Sequence, residues 1–519
     1  MAKKLLNPLF IFHVLFVGLV LGGILPRSLV LYETALLAIF FALWPIRESL
    51  IFFVRSIPIF IAIPLTSNFD NFNQWRLLVL LIFIKWCLEK NVWHYIGSGL
   101  IILIKKPVIF FREHSWLSVM ILLLAASAFS ILKAADQTAA LKRIIYFVNA
   151  GLIVLPIIYP PQPLDFIKRL IRNITIPAII VIGIGVVQVV STYFIDIYQF
   201  MRLWGEGVQL RAFGTTWSYI AVNLGNTWFA YFGDQLSLRV FSLFPDSHSF
   251  PIFLLLALPA FMSWTLINPM KRSDKLKEML NTRGKLAVIF IPLLLLMMIL
   301  SGTRGIWAAG AAVIGIWTFF LRGFVPKGSK DNIVRYLSIF LSMFFVLFLV
   351  AYPIFSSPQF LVSKGDNYLF QKRFKSIVDF GETSNAQRLE IWRKTLSSIK
   401  NQPILGVGIG NYPVVLNQDI RLAKAGSSAH NIYLHVAAEI GLIGFALFII
   451  FILLILRTVH RVFVRQKEPY FLAFFGGLLF SVPWILAYLM TDVAIFDERT
   501  LLLTAVTLAI IANPELSHA

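Results

Sequence analysis

Cysteine is almost missing from this chain: among 519 residues there is one, Cys87. It lies inside an apolar run, so no intramolecular disulfide forms and no cysteine-based metal site is available. Charge is scarce too, at 14% of residues, and it leans one way, with 46 Lys and Arg against 25 Asp and Glu. The net charge of +21 would suit nucleic acid, but the basic residues lie mostly in short loops between apolar runs, where they orient helices; nucleic acid is set aside as a partner. No internal repeat and no low-complexity loop occurs. What the chain has is apolar mass. With 58% hydrophobic residues and a mean hydropathy of +0.80, it has the composition of a polytopic membrane protein whose whole length can form one bundle.

Apolar runs of spanning length fall at 7–25, 29–44, 50–66, 75–88, 115–132, 141–159, 174–195, 249–267, 285–301, 305–321, 334–354, 431–456, 470–490 and 499–512. The expectation is an all-α protein of about fourteen transmembrane helices. The first run has the basic start of a signal peptide, but its apolar core is too long and lacks a small-residue cleavage site, so it reads as a retained helix. Basic clusters at Lys3 and Lys4, Lys105 to Arg112, Lys168 to Arg172, Lys271 to Lys285, Arg322 to Arg335 and Arg457 to Lys467 fall on one side of this alternation. The positive-inside rule makes that side cytoplasmic, with both termini there. The short apolar core of 89–114 between basic flanks reads as an interfacial or re-entrant piece.

This alternation divides the chain into an N-terminal bundle, 1–195, a first extracytoplasmic loop, 196–248, central helices, 249–354, a large extracytoplasmic loop, 355–430, and C-terminal helices, 431–519. In the large loop, Ser384 and Gln387 have capping-box form, and Leu389, Trp392, Leu396 and Ile399 recur at helical spacing until Asn401 and Pro403. That spacing predicts a helix with this stripe on the membrane surface or on the bundle. Arg388 falls in its first turn, where the helix dipole disfavours a cation. Either an anionic partner compensates it, or it is solvated or paired with Glu382 or Glu390.

Gly406-Val-Gly408-Ile-Gly410 has the glycines of a phosphate loop but no preceding strand and no completing spacing, so it reads as a flexible turn under the outer surface. Ser301-Gly-Thr-Arg304-Gly sits between two apolar runs with almost no loop, and Arg304 is expected at the outer membrane boundary, as a functional charge or snorkelling to lipid phosphate. Upstream, Arg239 and the run Asp246-Ser-His248 precede another span, with Asp246 able to orient His248 or to cap the helix. His430-Asn431 stands where a polar stretch becomes an apolar run carrying Gly441 and Gly444. A histidine there is expected at a membrane surface with a rigid helix behind it; His435, within the run, reads as a packed core residue.

These residues together carry a resemblance. The Ser-Gly-Thr-Arg304-Gly turn, the helix bearing Arg388 and Trp392, the Leu-Gly406-Val-Gly408 segment and His430-Asn431 followed by Gly441-x-x-Gly444 are similar to the O-antigen ligase and polymerase superfamily over residues 239–456. The resemblance implies a GT-C-like helical bundle in a bacterial inner membrane, its site facing the periplasm, that moves a glycan from a polyprenyl-diphosphate lipid to a glycan, lipid A core or protein acceptor in polysaccharide biosynthesis. It implies roles for Arg304, Arg388 and His430, and for Arg239; Asp246-Ser-His248 departs from the Pro-Asn pairing often seen after the upstream arginine.

The residues agree on chemical grounds. A diphosphate leaving group gains negative charge as the glycosidic bond breaks, and arginines stabilise it bidentately. The outer loops lack a paired-aspartate motif for Mg²⁺ or Mn²⁺, so the expected chemistry uses no metal and no cofactor. His430 suits a general base for an acceptor hydroxyl, with Arg239, Arg304 and Arg388 on the diphosphate and Asp246, His248 and Asn431 in support. Attack opposite the diphosphate would invert the anomeric centre. The alternatives are a transporter, such as the bicarbonate-transport candidates of the same superfamily, and a structural envelope partner. Transport predicts polar residues and paired broken helices near the midplane; catalysis predicts charges at the outer surface.

Overall fold

The computed structural model describes residues 2–66, 69, 70, 72–90, 92, 115–215, 227–232, 235–265, 284–324, 327–362, 383–420 and 427–518. The interfacial piece expected at 89–114 lies largely outside these residues. The chain is overwhelmingly helical, as the apolar runs require: a backbone surrounded by hydrocarbon satisfies its own polar groups within each helix. In order come α1 (Ala2–Leu21), α2 (Val30–Leu43), α3 (Ile46–Ser56), α4 (Gln74–Glu89), α5 (Ser115–Ser130), α6 (Gln137–Gly151) and α7 (Leu164–Ser191). After an irregular stretch follow α8 (Ser249–Thr265), α9 (Gly284–Leu300), α10 (Arg304–Phe324), α11 (Lys327–Ser356), α12 (Thr383–Asn401), α13 (Ile432–Arg465), α14 (Pro469–Tyr488) and α15 (Glu498–Ile511). Among the described residues five helical stretches are long and apolar enough to cross a membrane: Ser115–Lys133, Gln137–Ile158, Leu164–Ser191, Ile432–Arg465 and Pro469–Tyr488. Shorter apolar helices, among them Leu5–Leu21 and Ser249–Trp264, accompany them.

The core is centred on α8, which packs against α7, α9, α14 and α15. Its buried residues from Phe250 to Phe261 explain why that stretch is apolar all round rather than striped. Two small antiparallel pairings interrupt the helices: Ala62–Ile63 with Phe72–Asn73, and Phe229–Phe232 with Gln235–Leu238. The first follows from a helix that stops early.

The apolar run 50–66 is not one helix. It breaks after Ser56, with a 3-10 turn at Ile57–Ile59 and then extended chain. Pro58 has no N–H to continue the ladder, and the freed carbonyls are taken by side chains from elsewhere: Arg499 Nε donates to Pro58 O at 2.9 Å and Arg499 Nη2 to Phe60 O at 3.4 Å. A second correction concerns α13. It is not one continuous helix behind His430: Ile440 and Gly441 leave helical geometry, Gly441 with φ +71°. Ile404 O lies where a Cβ at 441 would be, at 2.0 Å. Only glycine permits that approach. The Gly406–Gly410 segment is therefore not a flexible turn: Val407 N donates to Ala438 O (2.8 Å), Gly408 N to Glu439 O (3.0 Å) and Leu442 N to Pro403 O (2.7 Å).

Candidate functional site

Two ends of the bundle are defined by contacts. At one, Lys168 near the start of α7 pairs with Glu468 before α14 at 2.7 Å. At the other, α7 and α14 finish beside the segment 239–248, where the residues singled out from the sequence come together.

That segment is irregular yet closely held. Gln188 of α7 accepts from Ser242 N at 2.7 Å and donates to Ser242 O at 3.0 Å, while Gln209 donates to Phe244 O at 3.0 Å. Trp228 stacks on Phe241 with centroids 4.7 Å apart and donates to Pro245 O at 2.9 Å. Side-chain amides thus satisfy a buried backbone that forms no helix of its own. Arg239 leaves this segment towards the turn before α10: its Nε donates to Ser301 O, and its Nη2 reaches Thr303 Oγ1 and His248 Nε2, each at 3.3 Å. The turn itself requires Gly302, with φ +63°, since a Cβ there would stand 2.9 Å from Arg239 Cγ. Arg304 follows as the first residue of α10, and its charge acts on Arg239. Burial above all lowers the Arg239 guanidinium to about 10, with Tyr488, Asp246 and Asp492 opposing and Arg304 adding to the shift.

His248 is fixed on both sides. Its Nδ1 lies 2.8 Å from Asp492 Oδ2 and its Nε2 faces Arg239. Asp246 does not orient the ring; Asp246 Oδ1 accepts from His248 N, Ser249 N and Ser249 Oγ and so caps α8. Asp492, in the short connection from α14 to α15, is the orienting carboxylate. Burial pushes its carboxyl up, but His248 beside it, then His430 and Arg388, outweigh this and hold it well below the usual carboxylate range.

The other half of the cluster comes from α12 and the start of α13. The helix expected from Ser384 spans Thr383–Asn401, so Arg388 is its sixth residue, beyond the first turn. Its packed face carries Arg388, Trp392, Thr395 and Ile399, whereas Leu389 and Leu396 are exposed. Glu390 is bound to Lys394 at 3.0 Å, not to Arg388. Trp392 Nε1 donates to Ala429 O at 2.9 Å, which ties the arginine helix to the residue before His430. Beneath, Thr395 Oγ1 and Tyr412 Oη are 2.6 Å apart, and Tyr412 stacks on His435 at 4.6 Å. His435 is buried in that packing, its Nε2 3.5 Å from Glu439 Oε1.

His430 adopts φ +46°, an unusual conformation for a non-glycine residue that turns the chain into α13. Asn431 is its helix cap, accepting from Tyr433 N at 3.0 Å and Leu434 N at 3.2 Å. Burial lowers the His430 imidazole, Asp492 opposes, and Arg388 and His248 lower it further. Its ring is therefore neutral near pH 7, with a nitrogen lone pair free of its proton. Nδ1 is enclosed without a hydrogen-bond partner among the described residues.

Arg239, Asp246, His248, Arg304, Arg388 and His430 are all half-buried, so the cluster reaches the surface. Thr303 and Asp492 join it without having been singled out. An aspartate in the connection 489–497 gives no local signal; only the fold brings it to His248. Chemically the cluster offers cationic forks for an anion beside a neutral imidazole.

Residues 289–449 match the family model described as O-Antigen ligase. A protein of Haemophilus influenzae described as uncharacterized is 28% identical over 165 residues, which is 30% of this chain and 38% of that protein's length. The family match takes in Arg304, Arg388 and His430, begins after Arg239 and His248, and ends before Asp492. It supports the O-antigen ligase and polymerase family.

Proposed function

We propose, on the premise of that family, that this chain is a membrane glycosyltransferase. It transfers a glycan from a polyprenyl-diphosphate donor to a glycan, lipid A core or protein acceptor, as ligase or polymerase, on the outer face of a bacterial plasma membrane. The observation that supports this most is the gathering of three arginines and two histidines on one end of the bundle. Arg304 and Arg388 grip the diphosphate, Arg239 adds a third cation, and charge developing on the leaving group meets preorganised guanidinium forks. His430 Nε2 accepts the proton of the attacking acceptor hydroxyl. Asp492 and Arg239 fix the His248 ring between them, which holds Arg239 in place. Attack from the face opposite the diphosphate inverts the anomeric carbon. In this reading the chain crosses the membrane about fourteen times, the shorter apolar helices included, and 196–248 and 355–430 lie outside the cytoplasm.

The reading assigns no metal. Asp246 is engaged in capping, and Asp492 is bound to His248 and to the amides of Val493 and Ala494, so their oxygens are already committed. Transport is the weaker alternative. The two helix breaks it would use have their freed carbonyls taken by Arg499 and by the amides of Val407 and Gly408, which leaves those oxygens unavailable to an ion. The test is transfer by purified chain in vesicles supplied with a lipid-diphosphate-linked glycan and an acceptor. Transfer that survives EDTA is expected. Solute uptake without any transfer would overturn the reading, and loss of transfer restored by Mg²⁺ would overturn its metal-free form.

A further inference from the structure

At the opposite end of the bundle lies a second arrangement of cations, beside an open groove of about 350 Å³ between α1 and α7. Its walls are Phe10, Val14 and Leu15 on one helix and Ile176, Ile179 and Ile180 on the other. One turn below, each helix presents an amide, Asn7 and Asn173, and Arg55 from α3 bridges both: Nε donates to Asn173 Oδ1 at 2.6 Å and Nη1 to Asn7 Oδ1 at 2.7 Å. The same guanidinium lies 5.5 Å from the Phe10 ring centroid. Two neutral amides therefore position a cation at the mouth of an apolar groove without neutralising it.

The neighbouring charges do not balance either. Arg169 binds Glu48 at 2.9 Å. Arg172, like Arg169, acts electrostatically on Arg55, and its guanidinium lies 6.0 Å from the Trp264 ring centroid. Among the described residues that act on Arg55, Arg169 and Arg172 thus stand with one carboxylate, Glu48.

We propose that this is a binding site for an anionic phospholipid. The phosphate meets Arg55 and Arg172, and one acyl chain lies in the groove between α1 and α7. A chain moving from bilayer to groove exchanges one hydrocarbon surrounding for another and gains little, so selection rests on the headgroup, for which basic pockets between membrane helices are suited. The groove contributes shape. Its basic mouth is at the Lys168–Glu468 end, remote from Arg304 and His430, so this lipid is not the glycan donor, and the proposal requires nothing of glycan transfer.

The test uses the full chain in nanodiscs of equimolar phosphatidylglycerol and phosphatidylcholine, with lipid retained after a mild detergent wash counted by mass spectrometry. Retention should favour phosphatidylglycerol, and the double variant Arg55→Gln, Arg172→Gln should lower that preference about tenfold. Ile179→Trp, which fills the groove and keeps both arginines, should also lower retention. It carries the test if the double variant fails to fold. Millimolar inorganic phosphate should not displace the lipid. Equal retention of the two lipids, or unchanged retention in either variant, would overturn the proposal, as would displacement by inorganic phosphate.

Discussion

His13 with Glu33 and His248 with Asp492 are the same chemical pair, at 2.6 Å and 2.8 Å, set in two regions that treat it differently. In the first, side chains are 0% and 1% exposed. The second oxygen of Glu33 accepts from Gln74 Nε2, which also donates to Thr34 Oγ1 at 2.9 Å, and Gln74 Oε1 takes Ile61 N at 3.3 Å. That network clamps α1, α2, α4 and the broken chain after Ser56. In the second, exposure rises to 21% and 9%, and the neighbours are Arg239, His430 and Arg388. An ionisable group inside an apolar bundle is a starting point for a functional reading, but the difference here lies in exposure and in the cations gathered around the second pair.

The comparison breaks first at His430. His430→Ala should lower glycan transfer by about 10² to 10⁴, leave donor binding near the parental value and leave thermal unfolding almost unmoved. Arg304→Lys and Arg388→Lys keep the charge but lose the planar fork, and should lose most transfer. Rates measured beside donor binding for each purified variant check this. Parental transfer by His430→Ala would reduce the histidine to a turn residue before α13.

The buried network should fail in the opposite way. Glu33→Ala leaves His13 Nδ1 and Gln74 Nε2 short of an acceptor in a dry interior, which costs about 3–5 kcal/mol of stability. Transfer per folded molecule should stay as it was. A large drop in unfolding temperature with unchanged specific activity is the expected pair of readings; lost activity at full stability would make the His13 network part of the site.

A finer contrast is in pH. Burial and then the charges of Arg388 and His248 lower His430, with Asp492 opposing. A base must be deprotonated to act, so transfer should fall only when pH drops below the ordinary histidine range. Arg388→Gln removes one lowering charge and should move that acid limb up in pH, and Asp492→Asn, removing a raising charge, should move it down. The residual activity of each variant, followed from pH 4 to 8, reads both directions; limbs that stay in place would show that another group governs the profile.

Much of the site was legible because its signals are local. Gly302 beside Arg304, and His430-Asn431 at the entry to a long apolar run, are patterns that a turn and a helix cap demand. What the sequence hid was of two kinds. Pro58 and Gly441 lie inside strongly apolar runs, where hydrophobicity says helix whatever the backbone does; their breaks are stabilised by Arg499 and by residues 403–408, partners no local window contains. Asp492 shows the other kind, since its contact with His248 spans the core of the chain. The stripe on α12 is divided for a related reason: Trp392 and Ile399 pack inward with Arg388 and Thr395, which Tyr412 and the cluster draw in, while Leu389 and Leu396 stay exposed.

The smallest expected effect sharpens the comparison at a third carboxylate, Asp497, which caps α15 through Arg499 N at 3.1 Å and Thr500 N at 3.2 Å. Burial, with Asp246 and Glu498 adding and Arg499 opposing, raises its carboxyl to about 7. A raised folded-state value means that folding favours the proton. The cost of the charge is therefore absent below the ordinary 3.8, grows between there and about 7, and is full above. Asp497→Asn keeps a capping oxygen and removes that cost, so it should stabilise the protein at pH 8 and hardly at all at pH 4. Asp497 keeps some solvent contact, which limits the gain to about 1 kcal/mol, a shift of a few degrees in unfolding temperature. Equal shifts at the two pH values would show that charge is not the cause. A loss at pH 8 would show that attraction between the carboxylate and the helix N-terminus outweighs its burial.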